Sequence, residues 1–229
     1  MLILWLRRND TRVPFRNETI AKTVVRKLKK MKSLIILFIS FTVFSCSNNH
    51  EEIIAELEEM TITDQKWRGL LQTLDNGYKT ELDRKKIIEK MNVTDSLNSI
   101  GLSRIFEKYG FIDYERFGKK ASNNFWLLVQ HQDKSLNFQS EVLEEMKVAV
   151  EKNIASSQDF AYLTDRIKIN SGLKQIYGTQ MMLNEDKSSF IPKPTENIEN
   201  INLRRQNVGL TSIEEYIELM NNEYFGILE

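Results

Sequence analysis

Several polar residues in this chain have the types and spacings that chemistry needs. Asp64 and Arg68 stand four apart, one helical turn, so a carboxylate and a guanidinium can pair on one face. Asp64 also falls in the slot of an apolar stripe, where a partly buried carboxylate could serve acid–base work or hold a ligand. The alternative is a structural ion pair, or a helix that restarts here with Thr61 or Thr63 as its cap. His131, one of two histidines, follows the most apolar helical segment and is flanked by Gln130 and Asp133. A His–Asp pair suggests a general base. Residues two apart on a helix point in nearly opposite directions, however, so the pair can cooperate only if the helix frays at Gln132. Otherwise His131 closes the helix end by bonding a backbone carbonyl.

Asp165 and Arg166 end a further helical segment. Arg166 can grip a carboxylate or phosphate through two parallel N–H bonds, or tie its helix to the segment that follows. That segment, Gln175 to Gln180, offers Gln175, Tyr177, Thr179 and Gln180 around the flexible Gly178, and its Tyr177–Gln180 part is expected to fold back to meet His131 and Arg166. Arg204 and Arg205 add positive charge that could meet an anion or nearby acids. On these grounds His131, Asp64 and Asp165 are the catalytic candidates. Arg68, Gln130, Asp133, Arg166, Gln175, Tyr177, Thr179, Gln180 and Arg204 are the ligand-binding candidates. No G-x-S-x-G elbow and no H-E-x-x-H pair occurs, and no motif points to a metal or a cofactor.

The elements that must position these residues are mainly helical. The chain has 229 residues, is 41% hydrophobic, and holds only 3 Pro and 9 Gly. That supports one cored domain and disfavours a sandwich with many tight turns. Ile53, Leu57, Met60, Trp67, Leu71 and Leu74 recur in steps of three and four, predicting a helix over 51–74 with Asp64 in its stripe. "LDNGYKT" is a turn, followed by an exposed charged helix to Met91. Thr94 or Asp95 is expected to cap a separate helix carrying Leu102, Ile105, Phe106 and Tyr109, which Gly110 ends. "FIDYERFGKK", 111–120, reads as a loop.

Ala121–Gln132 is expected as the central helix, and Phe138, Val142, Met146, Ala149 and Val150 mark another. Ser156 and Asp159 form a capping pattern for Ser157–Ile167. Residues 175–192 read as a small β-hairpin or extended segment, and 195–209 as irregular or weakly helical. Thr211 and Glu214 are expected to box the start of the last helix, with Ile213, Tyr216, Ile217, Met220 and Tyr224 as its stripe.

Several of these stretches occur together in a recognisable order: "QHQD", "AYLTDR", "QIYGTQ" and "RRQNVGL". With "DQKWR", they resemble the blocks of a bacterial domain family of unknown function. The resemblance spans roughly Thr61 to Tyr216 and implies no activity.

The remaining signal is an address. "KLKKMK" (27–32) is a basic cluster, and "SLIILFISFTVF" (33–44) carries no charge. A positive n-region, a short h-region and then "VFSC" resemble the leader and lipobox of a bacterial lipoprotein. The run is shorter than the roughly 20 apolar residues of a membrane-spanning helix. Cys46, the only cysteine, would then be the lipidation site, carrying acyl chains such as palmitate. On this reading residues 1–30 are a gene-model extension ahead of a start at Met31, with a long n-region as the alternative, and 31–45 are a signal peptide. Residues 46–50 are a tether, and 51–229 are a single helical domain. The protein is expected in the cell envelope, lipid-anchored on the periplasmic or outer-membrane face.

The zero formal charge of the chain conceals an asymmetry. Residues 1–45 hold ten Lys or Arg against two acids, leaving 22 basic and 30 acidic residues in the rest. So acidic a domain is a poor partner for nucleic acid, whose phosphates demand a basic patch. The expected role is an envelope lipoprotein that binds a ligand or a protein partner through a polar site. The alternative is a hydrolase or transferase built on the His/Asp/Arg cluster.

Overall fold

Helical periodicity dominates the computed structural model, which describes residues 49–226. The leader, Cys46 and the tether up to residue 48 lie outside the described residues. Helix α1 covers 49–75 among them. Its stripe buries Ile53 and Leu57, then Asp64. Helix α2 (Arg84–Tyr109) opens at Asp83, whose side chain accepts from the Lys86 amide. It closes at Gly110, where φ is +67° and a Cβ would lie 2.5 Å from Glu145 Oε2. That carboxylate accepts from the Phe111 amide at 2.7 Å, so the glycine makes room for the bond that fastens the turn.

Two expectations about this region need correction. Thr94 and Asp95 cap nothing, because α2 passes through both without a break. Its inward positions run Ile87, Thr94, Asn98, Leu102, Ile105. Two polar residues in the stripe interrupt the apolar pattern without interrupting the helix. Nor is 111–120 a loop. Asp113 accepts from the amides of Glu115 and Arg116, both at 2.9 Å, and starts helix α3 (Tyr114–Gln130). Gly118, at φ 78° and ψ 160°, kinks it before the apolar part resumes.

Helix α4 (Leu136–Glu151) and helix α5 (Ser157–Asn170) complete the bundle. Ser156 caps α5 by accepting from the Asp159 amide. One core joins the five helices, with Leu57, Leu102, Ile105, Phe125, Leu128, Val142, Met146 and Leu163 all fully or nearly fully buried.

A two-stranded antiparallel sheet follows, β1 (Met181–Leu183) against β2 (Phe190–Pro192), with Met182 opposite Ile191. A single 3₁₀ turn, Ile198–Asn200, leads into helix α6 (Ile201–Asn207), and helix α7 (Ile213–Phe225) follows. The fold class is thus mainly helical with a small hairpin, as composition and periodicity imply.

The cap of α7 sits one residue later than expected. Both Thr211-x-x-Glu214 and Ser212-x-x-Glu215 fit a capping box. The structure uses Ser212 and Glu215, each bonding the other's backbone amide. This register buries Ile213 and leaves the Thr211 carbonyl to accept from Arg205 Nε at 2.6 Å. Ser212→Ala is therefore expected to cost about 1 kcal/mol in a urea unfolding series, the usual cost of losing a serine cap. Thr211→Ala, which keeps the carbonyl, should move the midpoint far less. Equal effects at the two positions would contradict this assignment.

Candidate functional site

Asp64 is 2% exposed on a helix face that otherwise needs apolar side chains. Burying a carboxylate is costly unless it is paired and hydrogen-bonded. Two groups meet it. Arg68, one turn along α1, points Nε at both carboxylate oxygens, each at 3.1 Å. His131, 67 positions along the chain, brings Nδ1 within 3.0 Å of Oδ2. The ring N–H lies off the N···O line, so this is a close polar contact rather than an aligned hydrogen bond. Burial pushes the Asp64 carboxyl upward, but the contacts with His131 and Arg68 outweigh it and hold the group below its usual range.

Arg68 has a second partner. Its Nη2 donates to Asp95 Oδ1 on α2 at 2.6 Å. Asp95, the would-be helix cap, instead extends a chain of polar contacts across three elements: Asp95, Arg68, Asp64, His131. Half-burial raises the Asp95 carboxyl above its usual value, with the Arg68 charge opposing and the Asp64 charge adding to the rise.

His131 reaches this place because α3 ends at Gln130 and His131 is its C-cap residue. The carbonyls of Val129 and Gln130 are held by the buried Gln139 amide, at 3.0 and 3.1 Å. That closure turns the chain into the 131–135 connection. Gln130 therefore contributes a carbonyl to the helix end and does not line the cavity described below. Asp133 does not pair with His131. It receives Arg166 on both oxygens at 2.8 Å, and Asn170 also donates to it. Burial raises the Asp133 carboxyl, and its bonds to Arg166 and Asn170 bring it below its usual range.

A polar cavity of about 430 Å³ opens between these groups, lined by Arg68, Asp95, His131, Asp133, Lys134 and Arg166, with serines and Asn92 of α2. Lys134 Nζ stands 3.3 Å from Asn92 Oδ1. Among the described residues it forms no ion pair. Nε2 of His131 likewise has no hydrogen bond from the described residues.

Asp165 and its partners gather elsewhere. Asp165 is fully buried, and its carboxylate accepts from the amides of Ile176 (2.7 Å), Tyr177 (3.0 Å) and Thr179 (2.9 Å) and from the Thr179 hydroxyl (3.0 Å). Gln175, also fully buried, donates to the carbonyls of Gln180 and Lys193 and accepts from the Gln180 amide. Arg204 donates to the carbonyls of Ile176, Glu196 and Asn197. Arg205, 1% exposed, donates to Tyr177 and Thr211 carbonyls and lies 4.9 Å over the Tyr216 ring. Gly178 has φ +71°, and a Cβ there would come within 2.7 Å of Ile201.

The sequence candidates thus divide into two groups. Arg68, His131, Asp133 and Arg166 line the cavity, and Asp64 lies buried behind Arg68 and His131. Asp165, Gln175, Tyr177, Thr179, Gln180 and Arg204 form a knot that satisfies the backbone of the hairpin segment. The expected meeting of His131 with the Tyr177–Gln180 segment is not observed, because the amides of that segment turn to Asp165, one residue before Arg166. Asp95 and Lys134 join the cavity without having been site candidates. Asp95 was read as a helix cap, and Lys134 carried no signal beyond its charge. Among the described residues no group of three or more His, Cys, Asp or Glu is placed to hold a metal.

Comparison with known proteins gives one match. A family model described as a family of unknown function (DUF6624) matches residues 51–228. No curated protein and no solved structure matches the chain.

Proposed function

The chain belongs to this family of unknown function, and from that premise we propose that the domain binds a small polar ligand bearing an anionic group, in the cavity between Arg68, His131 and Arg166. The observation that carries this reading is the Lys134 ammonium, which lines the cavity and forms no ion pair among the described residues. Both arginines are already matched by aspartates. Among the described residues, the groups left to meet a ligand are the Lys134 charge and His131 Nε2. The size suits a small molecule, since ligand cavities typically run about 300–1,000 Å³. A concave polar cavity favours such a ligand over a protein partner, whose interface is broader and flatter in its core.

The anchor belongs to the same proposal. The basic cluster, the uncharged run and V-F-S-C support lipid on Cys46 and a place in the cell envelope, with the membrane as first partner. Mass spectrometry of the membrane fraction is expected to find Cys46 acylated at the mature amino terminus. An intact Met31–Ser45 segment on the native protein would refute the anchor.

Ligand binding is tested by thermal shift against a panel of small carboxylates, amino acids and phosphate esters. At least one compound should raise the midpoint of the full chain, and Lys134→Ala should abolish the rise without moving the midpoint of the unliganded protein by more than about 0.5 kcal/mol equivalent, as usual for a surface change. Compounds that stabilise Lys134→Ala and His131→Ala as well as the parent chain would place binding elsewhere.

A further inference from the structure

We infer that the cavity is a catalytic site for ester hydrolysis, in which Nε2 of His131 is the general base and Asp64 its positioning residue. This rests on the reading that the cavity takes an anionic or polar small molecule.

The argument begins with the location of Asp64. A leucine would complete the α1 stripe, and a buried ion pair is poor value for stability compared with apolar packing. The carboxylate does have a specific effect on the ring beside it. With Oδ2 3.0 Å from Nδ1, the favoured neutral tautomer carries its proton on Nδ1, where a carboxylate can accept it. Nε2 is then the bare nitrogen and can accept a proton. The ring must rotate about χ2, a broad torsion, for the N–H to align with Oδ2. Catalytic hydrogen bonds are often loose before substrate binds and tighten in its complex.

The surrounding charges fit this role. Facing His131 are Asp64 and Arg68 from α1, Asp95 from α2, Asp133 and Lys134 from its own connection, and Arg166 from α5. Arg68 is shared between Asp64 and Asp95, so each carboxylate beside the ring has a guanidinium partner. Lys134 places positive charge on the cavity wall, where an oxygen that becomes negative during reaction is stabilised.

The step balances without a co-reactant other than water. Nε2 takes a proton from water as its oxygen bonds to the carbonyl carbon or phosphorus of the ester. The bond to the leaving oxygen breaks, and that oxygen receives the proton from Nε2. Ester and water become acid and alcohol, and no electrons are exchanged with a cofactor.

The test uses the full chain in detergent, labelled with ¹⁵N-histidine. It has only two histidines, and His50→Gln assigns the signals. At alkaline pH the His131 ring should show a protonated Nδ1 and a bare Nε2. Hydrolysis of p-nitrophenyl acetate or p-nitrophenyl phosphate should fall at least about 100-fold in His131→Gln, the lower range for a lost general base, and should not fall in His50→Gln. Asp64→Asn should lower kcat with little change in KM and should shift the tautomer, because its amide can donate to Nδ1. A proton on Nε2 in the parent chain, or equal hydrolysis of both esters by parent and His131→Gln, would overturn the inference. Ligand-induced stabilisation without hydrolysis would leave the binding proposal standing and remove this one. Hydrolysis without any stabilising anion would do the reverse.

Discussion

Replacing Asp165 with alanine is expected to lower stability by about 3–5 kcal/mol, the largest effect of any single substitution considered for this domain. The side chain is fully buried on α5, and four donors converge on it: three amides and one hydroxyl. Alanine leaves all four without an acceptor in a space closed to water, and each orphaned group costs about 1–3 kcal/mol before relaxation. The hairpin segment can recover some of this only by moving off α5. Arg205, which donates to the Tyr177 carbonyl, would then lose one of its own anchors. Since small domains are stable by about 5–15 kcal/mol, the variant should show a sharply reduced urea midpoint. Asp165→Asn should be intermediate: one oxygen still accepts, but the new amide group faces donors. A loss below about 1 kcal/mol for alanine would mean that the four bonds do not govern the segment.

Asp64→Leu should behave in the opposite way, leaving the fold intact while abolishing function. Leucine completes the α1 stripe, and Arg68, still about a quarter exposed, keeps Asp95 as its partner. Removing one partner of a buried pair usually costs about 3–5 kcal/mol because the other charge is left unpaired; here Arg68 keeps Asp95 and its contact with water, so the urea midpoint at neutral pH should change by less than about 1 kcal/mol. Ligand-induced stabilisation, or ester hydrolysis, should fall by at least about tenfold because the ring of His131 loses its orienting group. The pH dependence supplies an independent check. Against the upward push of burial, the Asp64 carboxyl is held below its usual value by His131 and Arg68, so its contribution is present at neutral pH and drains away as pH falls through the lower folded value. Asp64→Leu lacks that loss and should be destabilised less by acid than the parent chain. Large destabilisation at neutral pH with ligand stabilisation retained would make Asp64 a structural residue only.

Much of the scaffold was legible because apolar spacing is a local signal. The stripes of α1, α4 and α7 follow directly from residues three and four apart. What failed was also local in origin. Thr94 and Asn98 face inward in α2, so a pattern that counts only apolar residues divides one helix into two. Asp113 opens α3 through bonds to backbone amides, and the Gly118 kink conceals the continuation. The candidate site was half legible. Asp64 revealed itself as a charge in an apolar stripe, and its pairing with Arg68 follows from helical geometry. Its approach to His131 does not, since that depends on how α1 lies against the end of α3. The residues of the Asp165 knot were picked out but could not be told from a ligand site, for a related reason: the partners of Asp165 are mainly backbone amides, which nearly every residue carries. Arg204 and Arg205 are adjacent and chemically identical, yet only Arg205 is buried. Nothing but the packing of α6 separates them.

The beginning of α1 has a consequence for where any ligand must be met. The His50 ring packs 4.5 Å from Phe117 and 6.0 Å from Tyr109, which pins the helix start to the junction of α2 and α3. From His50 to Asp64 the helix rises about 21 Å, at 1.5 Å per residue. From Cys46 to His50 an extended chain reaches at most about 14 Å. With lipid on Cys46, the carboxylate behind the cavity works on a leash of no more than about 35 Å. The protein would then harvest from a thin layer above one leaflet rather than from a compartment. Molecules that dwell at that surface meet the cavity at a high local concentration, while those dilute in the bulk must first enter the layer.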